Sequence, residues 1–225
     1  MLEGFLNYYF YYRTKKNVAT REDLFNADET KTILNKIIKE IPSSFNASPS
    51  TRQFAGYYSL VALIIIHIHE KNYSEGIKLI SRIGLKDLVN YSRAFAALMS
   101  LFLGVSFCYF MQEEYSKASR LCETITFFYQ KNRKHFNKVS CRESINHLNE
   151  KCVSLLCLTY IFLEEKPKTT LMEIFKNCSF KAKDREGREK VSECFSKMKQ
   201  NDVATFTRVF TLYSYEYHIW DVHID

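Results

Sequence analysis

Glycine and proline are scarce in this chain, at 6 and 3 among 225 residues. A β-sandwich or barrel turns about every 8–12 residues and needs more of both. The same scarcity excludes collagenous and low-complexity chains and leaves no glycine-rich loop to cradle a phosphate. No Gly-x-Ser-x-Gly elbow occurs either. Tryptophan occurs once, at Trp220. Cysteine is more frequent, but its 7 copies are an odd number and none stands in Cys-x-x-Cys spacing. Neither a disulfide framework nor a zinc ribbon is indicated. Cys108, Cys122, Cys152 and Cys157 fall in apolar helical patterns, where a thiol behaves as a small hydrophobe. The opening residues carry Glu3 where a secretory leader carries basic residues. Together these features predict a reducing, cytoplasmic setting.

What is present is a sequence able to bury a large core. Hydrophobic residues are 46% and charged residues 25%, which excludes an intrinsically disordered chain. A compact chain of this size buries roughly 70–75% of its unfolded surface and needs no metal to fold. Aromatic residues reach 15%, nearly all Phe and Tyr. Apolar residues recur with helical period almost everywhere. Ile33, Leu34, Ile37, Ile38 and Ile41 predict one amphipathic helix, ended by Pro42. Residues 42–52 read as a loop, so residues 1–42 are expected to form an N-terminal helical segment and 53–225 a helical-repeat domain. Within the latter, helices are predicted at 53–70, 73–84, 92–111, 115–132, 143–164, 170–178, 186–200 and 202–214. In 143–164, Ile145, Leu148, Cys152, Leu155, Thr159 and Phe162 are expected to face the core, with His147, Glu150, Lys151 and Ser154 facing water.

One internal repeat is visible at an offset of 42 residues. Tyr73, Ser74, Gly76 and Leu79 match Tyr115, Ser116, Ala118 and Leu121, and Ala62 matches Gly104. Each unit is helix, tight turn, helix, with small residues where two backbones must approach. The expected fold is therefore all-α, a right-handed superhelix of antiparallel helical hairpins resembling tetratricopeptide repeats. The stretch Ala94–Met111 has no charge and is just long enough to span a membrane. Its neighbour 115–132 is amphipathic, which favours a helix buried between hairpins.

The charge, +7 in sum, is unevenly placed. Residues 131–199 hold 16 Lys/Arg and 9 Asp/Glu, and the rest of the chain holds 16 of each. Such a region suits RNA or an acidic protein face, or is a solvated helical face. Its focus is Lys131, Arg133, Lys134, Lys138 and Arg142 around a predicted 132–142 loop, interleaved with Phe128, Tyr129, His135 and Phe136. Basic groups with aromatics suit phosphate contacts plus base stacking; aromatics turned inward would leave only a basic loop. A second candidate surface is Tyr8, Tyr9, Tyr11 and Tyr12, which with Phe10 precede Arg13, Lys15 and Lys16. It would either bury against the first hairpin or meet a partner.

No constellation supports catalysis. His67 and His69 are two apart and diverge on a helix, whereas helical zinc pairs use i, i+4. His218 and His223 lack a third ligand. Glu113–Glu114 and Glu164–Glu165 are adjacent pairs that do not converge on one substrate. Cys141 would need His135 or His147 as a base, related to it only by distance along the chain. No cofactor, metal or small-molecule substrate is expected.

Phe54-Ala-Gly-Tyr-Tyr-Ser-Leu-Val-Ala-Leu-Ile-Ile-Ile-His and Asn72-Tyr-Ser-Glu-Gly-Ile-Lys-Leu-Ile-Ser-Arg-Ile resemble the central helical region of the subunit L family of eukaryotic translation initiation factor three. Tyr91-Ser-Arg, Gly104-Val-Ser-Phe-Cys-Tyr-Phe-Met, Glu114-Tyr-Ser-Lys-Ala, Ile145-Asn-His-Leu-Asn-Glu-Lys and Lys199-Gln-Asn-Asp continue the resemblance in order. Phe5-Leu-Asn-Tyr-Tyr-Phe-Tyr-Tyr-Arg resembles the aromatic helix that precedes that region. The resemblance implies a non-catalytic scaffold subunit, a helical-repeat arm leading into a winged helix. Implied partners are sister subunits, K and E above all, and the small ribosomal subunit. The chain is expected to lack the winged helix and the family's N-terminal extension. The same architecture serves proteasome lid and signalosome scaffolds, and an RNA-binding helical module is the other alternative.

Overall fold

The computed structural model describes residues 27–39, 51–79, 95–138, 142–163, 165–181 and 188–214. The helices among them are α1 Ala27–Lys39, α2 Thr51–His69, α3 Tyr73–Lys78, α4 Phe95–Met111, α5 Tyr115–Phe136, α6 Arg142–Phe162, α7 Thr169–Asn177, α8 Val191–Lys199 and α9 Val203–Ser214. Strands β1 Ser179–Lys181 and β2 Arg188–Lys190 form a two-stranded antiparallel sheet between α7 and α8. Among the described residues the fold is thus all-α apart from this hairpin. It divides into two compact units, the chain passing from one to the other between Gly104 and Val105 within α4.

The tight turns expected at the repeat are real and share one geometry. Lys71, Glu113 and Asn201 have positive φ, at 57°, 61° and 63°. At each, the left-handed residue's N–H donates three residues back, to the carbonyls of Ile68, Phe110 and Met198, each at 3.0 Å. The next residue's N–H donates five residues back, Asn72 to His67 at 2.8 Å, Glu114 to Tyr109 at 2.9 Å and Asp202 to Lys197 at 3.1 Å. This bond pair is the Schellman closure of a helix C-terminus. The carbonyls of Asn72, Glu114 and Asp202 at once accept the first bond of the next helix, from Gly76, Ala118 and Phe206. One residue ends the first helix and caps the second. The turns at Lys71 and Glu113 stand at the 42-residue offset read from the sequence; the turn at Asn201 is a third copy of the geometry.

In the first unit α1 packs on α2, and α2 on α3. The apolar stripe expected on α1 is narrower in the fold. Leu34 and Ile38, one turn apart, are buried, but Ile33 is 58% exposed. Ile41 lies outside the described residues. Gly104 on α4 sits against α2, where an added Cβ would lie 2.7 Å from Ile64 Cγ1 and 3.2 Å from its Cγ2. Ile64 is branched at Cβ and rotamer-locked in a helix, so it has little room to yield.

The uncharged stretch read as a span or a buried helix is a buried helix. Phe102, Leu103, Val105, Phe107 and Cys108 are fully buried, as are Met99 and the hydroxyl-bearing Ser106. Burying each large side chain contributes roughly 1.5–3 kcal/mol before entropy is charged. No helix among the described residues is long and apolar enough to cross a membrane.

In the second unit α5 and α6 form an antiparallel hairpin, with α8 and α9 packed on α6 and α7 on α8. The predicted orientation of α6 is corrected here. Lys151 and Ser154, expected in water, are buried, while Phe162, expected in the core, is 45% exposed. Three helices surround α6, so its middle has no water-facing side. Ser154 meets its burial by donating to the Glu150 carbonyl at 2.9 Å. Phe162 still packs, stacking on Tyr115 at 4.9 Å and meeting Phe110 and Phe206 edge-on. The expected start of a helix at 186 is also corrected, since residues 188–190 pair as β2 with β1.

Two substitutions check this account. Glu113→Gly removes the left-handed strain of a residue with a Cβ and is expected to stabilise the chain by about 0.5–1 kcal/mol, read as a raised urea midpoint at unchanged slope. Gly104→Ala forces Ile64 aside and is expected to destabilise by about 1–3 kcal/mol in the same titration.

Candidate partner-binding surface

The basic cluster lies at one end of the α5–α6 hairpin. Contrary to the predicted loop at 132–142, α5 runs on to Phe136, and Asn137 keeps helical angles. The extension has local causes. Asn132 donates from its amide to the Phe128 carbonyl at 2.9 Å, and no glycine or proline intervenes. Arg133, Lys134 and His135 occupy the last turn, where cations complement the helix dipole. Lys131, Arg133, Lys134, Lys138 and Arg142 are all exposed.

The interleaved aromatics behave differently. Phe136 and Tyr129 are buried and stack at 6.1 Å with near-parallel rings, and Phe128 lies 6.3 Å from Phe136. Tyr129 donates its hydroxyl to Asn146 Oδ1 at 2.7 Å, tying α5 to α6. Burial pushes its phenol above the ordinary range. Of the four rings, His135 alone is fully exposed, and Phe128 is half-buried. Charge faces solvent here, and stacking surface mostly does not.

Arg133 and Arg142 flank the Tyr129–Asn146 bond, each four residues further toward this end of the hairpin. Arg133 also acts on the Cys178 thiol beyond the C-terminus of α7, as do Lys190 and Glu150. Burial is the main effect on that thiol and raises it. Tyr8, Tyr9, Tyr11, Tyr12, Cys141, Trp220, His218 and His223 lie outside the described residues.

Two polar clusters went unseen in the sequence. Tyr160 on α6 donates its hydroxyl to Glu123 Oε1 on α5, and Lys168 Nζ lies 3.7 Å from Glu123 Oε2. Burial, then the carboxylate, push the phenol above its usual range. On β2, Glu189 accepts from Lys197 Nζ at 2.7 Å and from Arg208 Nη2, which also lies 3.4 Å from Cys194 Sγ. The β-hairpin register carries Glu189 to these cations, and pairing across β1–β2 is the one feature helical periodicity could not supply. Both clusters join helices and hold a charge in place without presenting a nucleophile. Two buried thiols are unsuited to attack as well: Cys108 is pushed up to about 12 by burial, and Cys157 is raised for the same reason. Among the described residues no group of three His, Cys, Asp or Glu side chains could hold a metal ion.

This geometry defines a helical-hairpin protein with a charged exposed surface. The chain belongs to the family described as RNA polymerase I-associated factor PAF67, which matches residues 14–214. Among curated relatives, eukaryotic translation initiation factor 3 subunit L of Danio rerio is 26% identical over 167 residues, 72% of this chain and 26% of the relative. The subunit L of Nematostella vectensis is 24% identical over 177 residues, 76% of this chain and 30% of that protein. The human subunit L is 30% identical over 110 residues, 48% of this chain and 20% of its own length. The resemblance read from the sequence is thus confirmed, and the match spans about a fifth to a third of each relative.

Glu189 supplies a pH test. Its bond to Lys197, with Arg208 alongside, holds its carboxyl below the ordinary 4.5. A depressed carboxylate stabilises the fold above its unfolded value and loses that contribution as pH falls through its folded value. Asp28 and Asp202 are depressed too, by Lys31 and by Thr205, and share the acid limb. Urea midpoints are expected to fall below about pH 4.5, and in Glu189→Gln that fall is expected to be shallower, from a lower neutral starting point.

Proposed function

We propose that this chain is a non-catalytic scaffold subunit of the translation initiation factor three complex, working in the cytoplasm by protein–protein assembly at the small ribosomal subunit. Its nearest partners are sister subunits, with K and E the expected ones. In this reading the hairpins continue as a right-handed superhelix, in which each buries its apolar face on the next and leaves extended surfaces for partners. The observation that carries it is the coincidence of two independent lines. The relatives are named subunit L across animals, and the same helix-to-helix turn recurs at the offset the sequence repeat predicts.

Co-expression of the full chain with subunits K and E from the same source tests this. Co-elution in fixed stoichiometry through size exclusion at about 150 mM salt, where surface charge attraction is largely screened, is the expected result. Failure to co-elute, with stable pairing to proteasome lid or signalosome scaffolds instead, would keep the architecture and overturn the function.

A further inference from the structure

We propose that the α5 end of the α5–α6 hairpin binds RNA through the phosphate backbone, without reading or stacking bases. The proposal does not depend on membership of the initiation factor complex.

Three observations converge on it. First, Lys131, Lys134 and Lys138 follow the i, i+3, i+7 spacing of a single helix face, and the helical angles of Asn137 carry that spacing past the end of α5. All three are exposed. Second, none of them, nor Arg142 across the hairpin, forms an ion pair among the described residues, whereas Lys31, Lys78, Lys117, Lys168, Lys197 and Arg208 all do. Their charge is available to an outside anion. Third, Tyr129 and Phe136 are spent in the core, Tyr129 on Asn146 and Phe136 against Tyr129.

The third point discriminates between partners. A protein partner with an acidic face binds through a desolvated apolar and aromatic centre ringed by charge. This patch exposes the ring and not the centre. Single-stranded RNA read by stacking needs successive aromatic platforms, and here Tyr129 and Phe136 are turned inward, Phe128 is half-buried and His135 alone is exposed. Phosphate contacts need only exposed donors and positive charge, and they supply most of non-specific nucleic-acid affinity. The rigid tie at Tyr129–Asn146 holds Arg133 and Arg142 on facing helices, so the cations form a fixed array on folded structure.

Binding of the full chain to fluorescein-labelled RNA of about 20 nucleotides, single-stranded or duplex, is measured by anisotropy across a salt series. Backbone contact predicts that log affinity falls linearly with log salt, with comparable affinity for unrelated sequences. The triple variant Lys131→Gln, Lys134→Gln, Lys138→Gln is expected to bind at least tenfold more weakly at about 50 mM salt, with the slope reduced by about 2. Its circular dichroism and urea midpoint, expected to be those of the parent, separate lost contact from lost folding. The proposal is overturned by undetectable binding at low salt, by a triple variant that binds as the parent does, or by more than tenfold preference among sequences. Poly-glutamate competing as well as RNA would also overturn it and assign the patch to an acidic protein.

Discussion

The structure depends on one backbone constraint, a left-handed residue that ends a helix directly before the residue that caps the next. It places Lys71, Glu113 and Asn201 at positive φ. Two of these carry long side chains in a conformation that costs a residue with Cβ roughly 1–2 kcal/mol. The turns persist because each satisfies carbonyls at one helix end and starts the next helix without a spare residue. A turn with no slack also fixes the rotational phase of the helix it starts. Four residues after the cap the chain has Gly76, buried, and Ala118, fully buried. At the third turn the same position is Phe206, which joins the aromatic cluster of Phe162 and Phe210.

A second constraint runs along the α5–α6 seam. Tyr129 bonds Asn146, Glu123 bonds Tyr160, and Cys122 on α5 lies beside Cys152 on α6 and, with burial, holds the Cys152 thiol well above its ordinary range. Leucine pairs tolerate sliding by a turn, since one apolar side chain replaces another. A seam of directional partners does not, because a slipped register would leave each buried polar group without its mate at a cost of about 1–3 kcal/mol. The hairpin is therefore held in one register, and the cations at its end are held with it.

Helix positions, the 42-residue repeat and the burial of α4 were legible because each rests on local periodicity or on small residues with a steric reason. What was not legible depends on neighbours. Lys151 and Ser154 lie on the polar side of α6 by any helical wheel, and only the packing of α8 and α9 buries them. Ile33 lies in an apolar stripe but beyond the reach of α2. The β1–β2 pairing joins segments too short and too charged to show alternation. The basic residues were read as part of a loop, whereas α5 carries Lys131, Arg133 and Lys134 to its last turns. Composition cannot tell a cationic loop from a cationic last turn, and the buried stack of Phe136 on Tyr129 that favours the helix is a tertiary fact.

That last turn also bears on why the charge is there at all. Cations near a helix C-terminus gain about 0.3–1 kcal/mol each from the dipole, and only within the final turn. Among the three lysines only Lys134 collects that gain, as Arg133 does beside it, whereas Lys131 lies a turn earlier and Lys138 past the end. Each stands three or four residues from Lys134, and like charges at that spacing cost about 0.2–0.5 kcal/mol per pair. One favourable placement and two repulsions nearly cancel. Folding stability thus gives no reason to set Lys131 and Lys138 beside Lys134 at this end while the α5–α6 seam is kept neutral or paired. A surface that contributes so little to its own fold is accounted for by what it meets outside it.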